Sequence, residues 1–157
     1  MRLVKATEND LPLMMAWRSN PLVYQGFYQQ NSPLEWMEHV NWFTSRNSDW
    51  RTFLIYYGGD LSILARPVGV VTIGQLDYWE CEIGIYIGEL TLWGKGVGRG
   101  ALESAIDWVR VNKGSHVVAV RSTILDNNKR SNRLFKSVGF YRVGKAREGE
   151  SLYRLVL

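Results

Sequence analysis

Apolar positions along the chain fall into two alternating periods. Arg2-Leu3-Val4-Lys5 reads as a short strand, and Thr7 with Asp10 three residues on forms a helix N-cap pattern ahead of Leu11, Leu13, Met14, Met15 and Trp17. Asn20-Pro21 breaks that first helix and a polar, aromatic loop follows. Ser32-Pro33 then places a cap and a first-turn proline before a second helix carrying Trp36, Val40 and Phe43. From Thr52 the period shortens to two. Residues 52–57, 68–76 and 80–87 read as three strands, separated by Gly58-Gly59 and Asp77-Tyr78, which predicts an antiparallel meander.

The helical period returns from Gly98 through Ala101, Leu102, Ala105, Ile106 and Val109, with Gly114 as a C-cap. Residues 117–125 form the next strand. Asp126-Asn127-Asn128 caps a final helix with Leu134, Phe135 and Val138, Gly139 ends it, and residues 140–145 and 152–157 close the chain as strands. Seven strands and about four helices define a mixed, mainly antiparallel α/β (α+β) fold.

A chain of 157 residues suits one domain, and 46% hydrophobic with 22% charged residues is the balance of a soluble globular protein. The longest apolar stretches, such as residues 83–87, fall far short of the ~20 residues that a membrane span needs, and Met1-Arg2-Leu3 opens without a signal-peptide core. A cytoplasmic protein is expected, with no membrane partner. The net charge of +4 suits an anionic ligand, but the basic residues are scattered without a nucleic-acid recognition motif, so no nucleic-acid partner is expected. Cys81 is the only cysteine; it cannot form an intramolecular disulfide and reads as a small core hydrophobe. His39 and His116 read as ordinary surface or core residues, and no metal site is expected.

The stretch from Leu92 to Leu102 carries the most chemistry. Gly94, Gly96, Gly98 and Gly100 alternate between a strand and an amphipathic helix. Glycine lets the backbone turn tightly and approach a ligand closely, and the N–H groups opening the helix, with its dipole, suit a phosphate. Lys95 and Arg99 add positive charge. A P-loop is excluded because Gly94-Lys95 is followed by Gly96 and not by Ser or Thr. Gly96 to Ala101 does fit G-x-G-x-x-G/A, but it follows a meander, and the next strand, Val120-Arg121-Ser122-Thr123, lacks the acid of a dinucleotide fold. A ligand-free, glycine-rich helix cap is the remaining alternative.

Cys81 to Glu89 followed by Leu92 to Leu102 resembles the fourth strand, pyrophosphate loop and third helix of the GNAT acetyltransferases. Asp126-Asn127-Asn128, Ser131, Leu134-Phe135 and Val138-Gly139-Phe140 resemble that family's second cofactor motif, and the resemblance extends over nearly the whole chain. Arg2 to Ala6 and Trp17-Arg18-Ser19-Asn20-Pro21 are similar to the RimJ/RimL-like branch, whose members acetylate protein N-termini and other small amines; amino-sugar acetyltransferases share a similar front end.

The resemblance implies acetyl-CoA as co-substrate, held by the loop residues Trp93, Gly94, Lys95, Gly96, Val97, Gly98, Arg99 and Gly100. Unpaired backbone of Ile85 and Ile87, with Tyr86 between them, would lie along the pantetheine arm, while Asn128 and Ser131 would bond the pantetheine and phosphates. On sequence alone the two isoleucines are also ordinary strand residues, and Asn128 is also a helix cap. The implied base is Glu82, for which a solvated strand-face charge is the other reading, since Glu80, Glu82 and Gly84 would share a face.

Two positions depart from the pattern. Trp93 stands where the family loop usually has Gln or Arg, and Phe135 stands where a tyrosine often serves as the acid for the leaving thiolate; Tyr86 and Tyr141 are the alternative acids. Among the aromatic residues of the front half, Trp17, Trp36 and Phe43 are expected to pack the helices on the sheet, and Tyr24, Phe27 and Tyr28 to line an acceptor pocket. The expected activity is N-acetylation of a primary amine by a monomer or homodimer. A non-catalytic acyl-CoA-binding regulator is the rival reading.

Overall fold

In the computed structural model, which describes residues 1–27, 30–46, 48–58, 65–113 and 116–157, the chain runs through β1 (Arg2–Lys5), α1 (Leu11–Arg18), α2 (Pro21–Tyr24), α3 (Trp36–Thr44), β2 (Arg51–Tyr57), β3 (Arg66–Gly74) and β4 (Glu80–Ile87). It continues through α4 (Val97–Lys113), β5 (Ala119–Leu125), α5 (Lys129–Ser137), β6 (Tyr141–Arg147) and β7 (Glu150–Val156). The strands make one sheet in the order β1-β2-β3-β4-β5-β7-β6. Short connections join β2, β3 and β4 as the expected meander, whereas β4 and β5 run parallel, because the intervening α4 carries the chain back across the sheet.

Period-two alternation splits the sheet between two cores. Phe53 and Ile55 of β2, Val71 and Ile73 of β3, and Ile83 of β4 are buried on one side, together with a stripe of α4 formed by Val97, Ala101, Leu102, Ala105, Ile106 and Val109. Leu54 of β2 and Val70 of β3 face the other side, where Met14 and Trp17 of α1 are buried and Trp42, Phe43 and Tyr86 pack alongside. A Cβ on Gly88 would fall 2.1 Å from the Trp17 ring, so the indole lies directly on the backbone at the end of β4.

Most element boundaries follow the sequence pattern, and the exceptions lie in the front half. Asn20 does end α1, but it also caps the single turn α2, its Oδ1 accepting from the Leu22 N–H at 3.0 Å. Tyr24 therefore lies in a helical turn and not in the expected loop. Ser32-Pro33 does not open α3, which starts at Trp36 after extended Glu35. The buried Gln30 side chain holds this stretch away from helix by donating to Arg18 O at 2.7 Å and to Ser32 O at 2.9 Å. Trp36 is 44% exposed and does not pack onto the sheet as expected. The anticipated turn at Gly59, the C-cap at Gly114 and the pocket residue Tyr28 lie outside the described residues.

Candidate functional site

β4 and β5 pair only from Glu80↔Ala119 to Glu82↔Arg121. Beyond that point β5 remains paired with β7 through Leu125, and β4 remains paired with β3 through Ile87, so the sheet parts between them. The Gly88 N–H donates to Val68 O at 2.9 Å, which sets the phase of the β3–β4 ladder. Alternation then turns the N–H and C=O of Ile85 and Ile87 away from β3, into the gap. One of these groups is taken: the Trp93 indole Nε1 donates to Ile87 O at 2.8 Å. The expectation that Ile87 is wholly unpaired is corrected to its N–H alone, while Ile85 keeps both groups.

The glycine turn meets the open end of this gap. Gly94 and Gly96 adopt φ of 77° and 80°, conformations that favour glycine, and nothing lies within 4 Å of where a Cβ would stand on either. The first bond of α4 runs from the Gly100 N–H to Gly96 O at 3.1 Å, so the N–H groups of Val97, Gly98 and Arg99 precede the helical ladder. The first turn of α4 holds no acidic residue to compete for the positive end of its dipole. Gly98 lies against α5 and β4, since a Cβ there would be 3.2 Å from Leu134 and 3.9 Å from Ile87. Arg130 brings a further cation, its guanidinium 3.6 Å from the centre of the Trp93 ring.

On the opposite face of β4 stand Glu82, Gly84 and Tyr86. Phe27 meets Tyr86 edge-on at 5.7 Å, Trp17 does so at 6.5 Å, and Arg18 lies 3.8 Å above Phe27. Burial pushes the Tyr86 hydroxyl well above the usual phenol range against the nearby charge of Arg18, and that hydroxyl has no hydrogen-bond partner among the described residues. Asn128 links this cluster to α5. Its Oδ1 accepts from the Ser131 N–H at 3.1 Å, and its Nδ2 donates to Gly26 O at 3.4 Å.

The family description "Acetyltransferase (GNAT) domain" matches residues 1–141. The chain belongs to the GNAT acetyltransferases. An uncharacterised protein of Methanocaldococcus jannaschii is 45% identical over 153 residues; the match takes in 96% of the present chain and 30% of that protein, so this GNAT domain spans under a third of its relative's length. The crystal structure of a domain from the same organism superposes with a TM-score of 0.90 at 42% identity, covering 99% of this chain and 97% of that one. Spermidine N-acetyltransferase from Vibrio cholerae, solved with CoA and spermine, has a TM-score of 0.78 at 16% identity, covering 99% and 94% of the two chains, a likeness of fold.

Within this GNAT fold the sequence-derived candidates form two groups. Ile85, Ile87, Trp93, Gly94, Lys95, Gly96, Val97, Gly98, Arg99 and Gly100 meet at the gap and the start of α4, and Asn128 and Ser131 stand at the start of α5, the helix whose Leu134 faces Gly98. Glu82, Tyr86 and Phe27 share the other face of β4, with Tyr24 on the neighbouring turn. Arg99 points part of its charge elsewhere, its Nε donating to Glu103 Oε1 at 2.9 Å on its own helix. Asn128 uses its carbonyl oxygen as a helix cap. Replacing it by Ala is expected to cost about 1 kcal/mol of stability, which a thermal melt would register as a drop of a few degrees.

Three cations that the sequence did not single out as site residues, Arg18, Arg46 and Arg130, stack on aromatic rings at this site. Arg46 stacks on rings four residues to either side, whereas long-range packing brings Arg130 onto Trp93. The family's acid position and one of the two alternative acids lie away from this cluster. Phe135 is buried and meets Phe140 edge-on at 5.0 Å, so that helix position builds core. Tyr141 lies on the outer strand β6, half exposed, where its hydroxyl accepts from Arg154 at 3.3 Å. Burial pushes the Cys81 thiol up to about 11, which keeps it protonated and unreactive at neutral pH. His39 is buried against Leu11 O at 3.2 Å and stacked on Trp42, and burial lowers its pKa. Among the described residues no group of His, Cys, Asp and Glu could hold a metal, and no helix is long and apolar enough to cross a membrane.

Proposed function

We propose that this GNAT domain is an N-acetyltransferase of the RimJ/RimL-like branch, moving acetyl from acetyl-CoA directly onto a primary amine of a protein N-terminus, an amino sugar or another small molecule. The parting of β4 from β5 beside the unpaired N–H groups at the start of α4 carries this reading. An extended, amide-bearing arm fits the free edge of Ile85, and a pyrophosphate fits the N–H groups of Val97, Gly98 and Arg99 with Lys95 and Arg130 nearby. When bound, acetyl-CoA supplies the activated acetyl thioester. The domain's own residues then do three things. The cleft holds the amine against the acyl carbon, Glu82 takes a proton from the ammonium, and the Ile85 N–H is the donor available to charge developing on the acyl oxygen. The relative solved with spermine acts on an amine as well, which supports an amine acceptor.

Thiol release from acetyl-CoA across a panel of primary amines tests the reading. Turnover with at least one amine is expected. Tight acetyl-CoA binding with no thiol release from any amine would mark a non-catalytic acyl-CoA-binding regulator instead.

A thiol has a pKa of ~8.5, so a thiolate is a tolerable leaving group near neutral pH and can take its proton from water. With Phe135 in the core, thiolate departure is expected to need no side-chain acid. Tyr86→Phe and Tyr141→Phe should each lower kcat/KM by less than about threefold between pH 6 and 10. A large loss in Tyr86→Phe, with acetyl-CoA affinity intact and the high-pH limb altered, would identify its hydroxyl as the acid.

A further inference from the structure

Two arginines far apart in sequence stand over the same face of β4 as Glu82 and Tyr86. Arg46 lies between two indoles, its guanidinium carbon 4.0 Å from the centre of the Trp42 ring and 4.1 Å from that of Trp50. Trp50 in turn covers Gly74, where a Cβ would fall 2.4 Å from its ring, and Gly74 is the cross-strand partner of Glu82. The sandwich therefore stands over the Glu82 end of β4. At the other end Arg18 lies over Phe27 at 3.8 Å and near the Tyr86 ring at 5.7 Å, with its Nε donating to Gln30 at 2.8 Å. Glu82 and Tyr86 are four residues apart on one face, about 13 Å along the strand.

Among the described residues neither Arg18 nor Arg46 makes an ion pair. Nη1 of Arg46 is buried and donates to no group among the described residues. Asp49, three residues on, is buried with an unpaired Oδ1 of its own and makes no ion pair with Arg46 among the described residues. Burial and the positive charge of Arg18 push Arg46 down to about 10, with Glu82 pulling the other way. A buried donor without a partner is costly, and a water, an ion or a ligand commonly completes such a group. Stacking between rings fixes the plane of a guanidinium without using any of its donors, and the planar fork then matches two oxygens of a carboxylate or phosphate.

We infer that the acceptor carries an oxyanion, phosphate or carboxylate, in addition to its amine, and that Arg46 seats this oxyanion at the Glu82 end of the face, with Arg18 adding positive potential from the Tyr86 end. The amine half of that statement rests on the N-acetyltransferase reading, whereas the anion site does not. A polyamine, cationic at every amine, meets two arginines on this face and is disfavoured by like-charge repulsion.

The test uses the protein saturated with CoA, so that the phosphate site at α4 is filled, and titrates matched amines in a calorimeter. The pairs are ethanolamine with phosphoethanolamine, glucosamine with glucosamine 6-phosphate, and alaninamide with alanine. The anionic member of at least one pair is expected to bind at least about tenfold more tightly than its neutral counterpart. Preference in the phosphate pairs assigns a phosphate, and preference in the alanine pair assigns a carboxylate. Arg46→Met should abolish the preference and Arg18→Met should weaken it while CoA affinity and far-UV circular dichroism stay unchanged, and Arg46→Lys should keep part of it. Equal binding within every pair, or a preference that survives Arg46→Met, overturns the inference. Thiol release with the same amines separates the two readings: anion-dependent binding without acetylation would sink the acetyltransferase and leave the anion site. Acetylation of neutral members alone would do the reverse.

Discussion

Replacing Glu82 by Gln is expected to lower kcat/KM by about 10²-fold or more while leaving acetyl-CoA affinity nearly intact. An alkylamine with a pKa of ~10 is almost wholly protonated at neutral pH and has no lone pair to attack with, so a base must take a proton before transfer. Glu82 stands on the face of β4 that carries Tyr86, at the last pair before the strand parts from β5, whereas Glu80 on that face is paired with Arg154. The substitution keeps the shape of the side chain and removes the base. The deficit should shrink as the pH rises toward the amine's own pKa, because solvent then supplies free amine. Steady-state kinetics from pH 6 to 10, with an amine from the active panel, would check this. Equal rates for variant and parent at every pH would make Glu82 an ordinary strand charge.

Gly98→Asp should weaken acetyl-CoA binding at least tenfold, about 1.4 kcal/mol. Its N–H belongs to the unpaired first turn of α4, and the new carboxylate would stand where a pyrophosphate needs positive potential. Bulk also contributes, since the added Cβ would press on Leu134 at 3.2 Å. Gly98→Asn adds nearly the same volume without the charge, so it should lose less than the aspartate variant. Calorimetry on both, after confirming that each is folded, separates the two effects. An unchanged dissociation constant in Gly98→Asp would remove the loop from the cofactor site.

The local periods in the sequence determined nearly all of the secondary structure. Residues 80–87 needed no adjustment as a strand, and Asn128 caps α5 as its chemistry requires, because an Asx side chain bonds backbone two or three residues away wherever it stands. The glycine turn was legible for the same reason: alternating glycines restrict what the backbone can do before any tertiary contact forms. The front half was less legible. The delayed start of α3 depends on Gln30 reaching Arg18 O and Ser32 O, a contact that no local propensity signals. Trp93 entered the sequence reading only through its backbone, yet its indole fills Ile87 O, six residues back across a turn.

The proposed acceptor side belongs to the tertiary structure. Arg18, Glu82 and the Arg46–Trp50 stretch come from three separate segments, and nothing in the spacing of any one of them predicts that they share a face of β4. Periodicity reports which side of an element is buried, because burial is a property of that element's own pattern. Which charges then confront each other across a cleft is fixed by how the elements pack, and in Arg46 that packing leaves a buried Nη1 without a partner among the described residues.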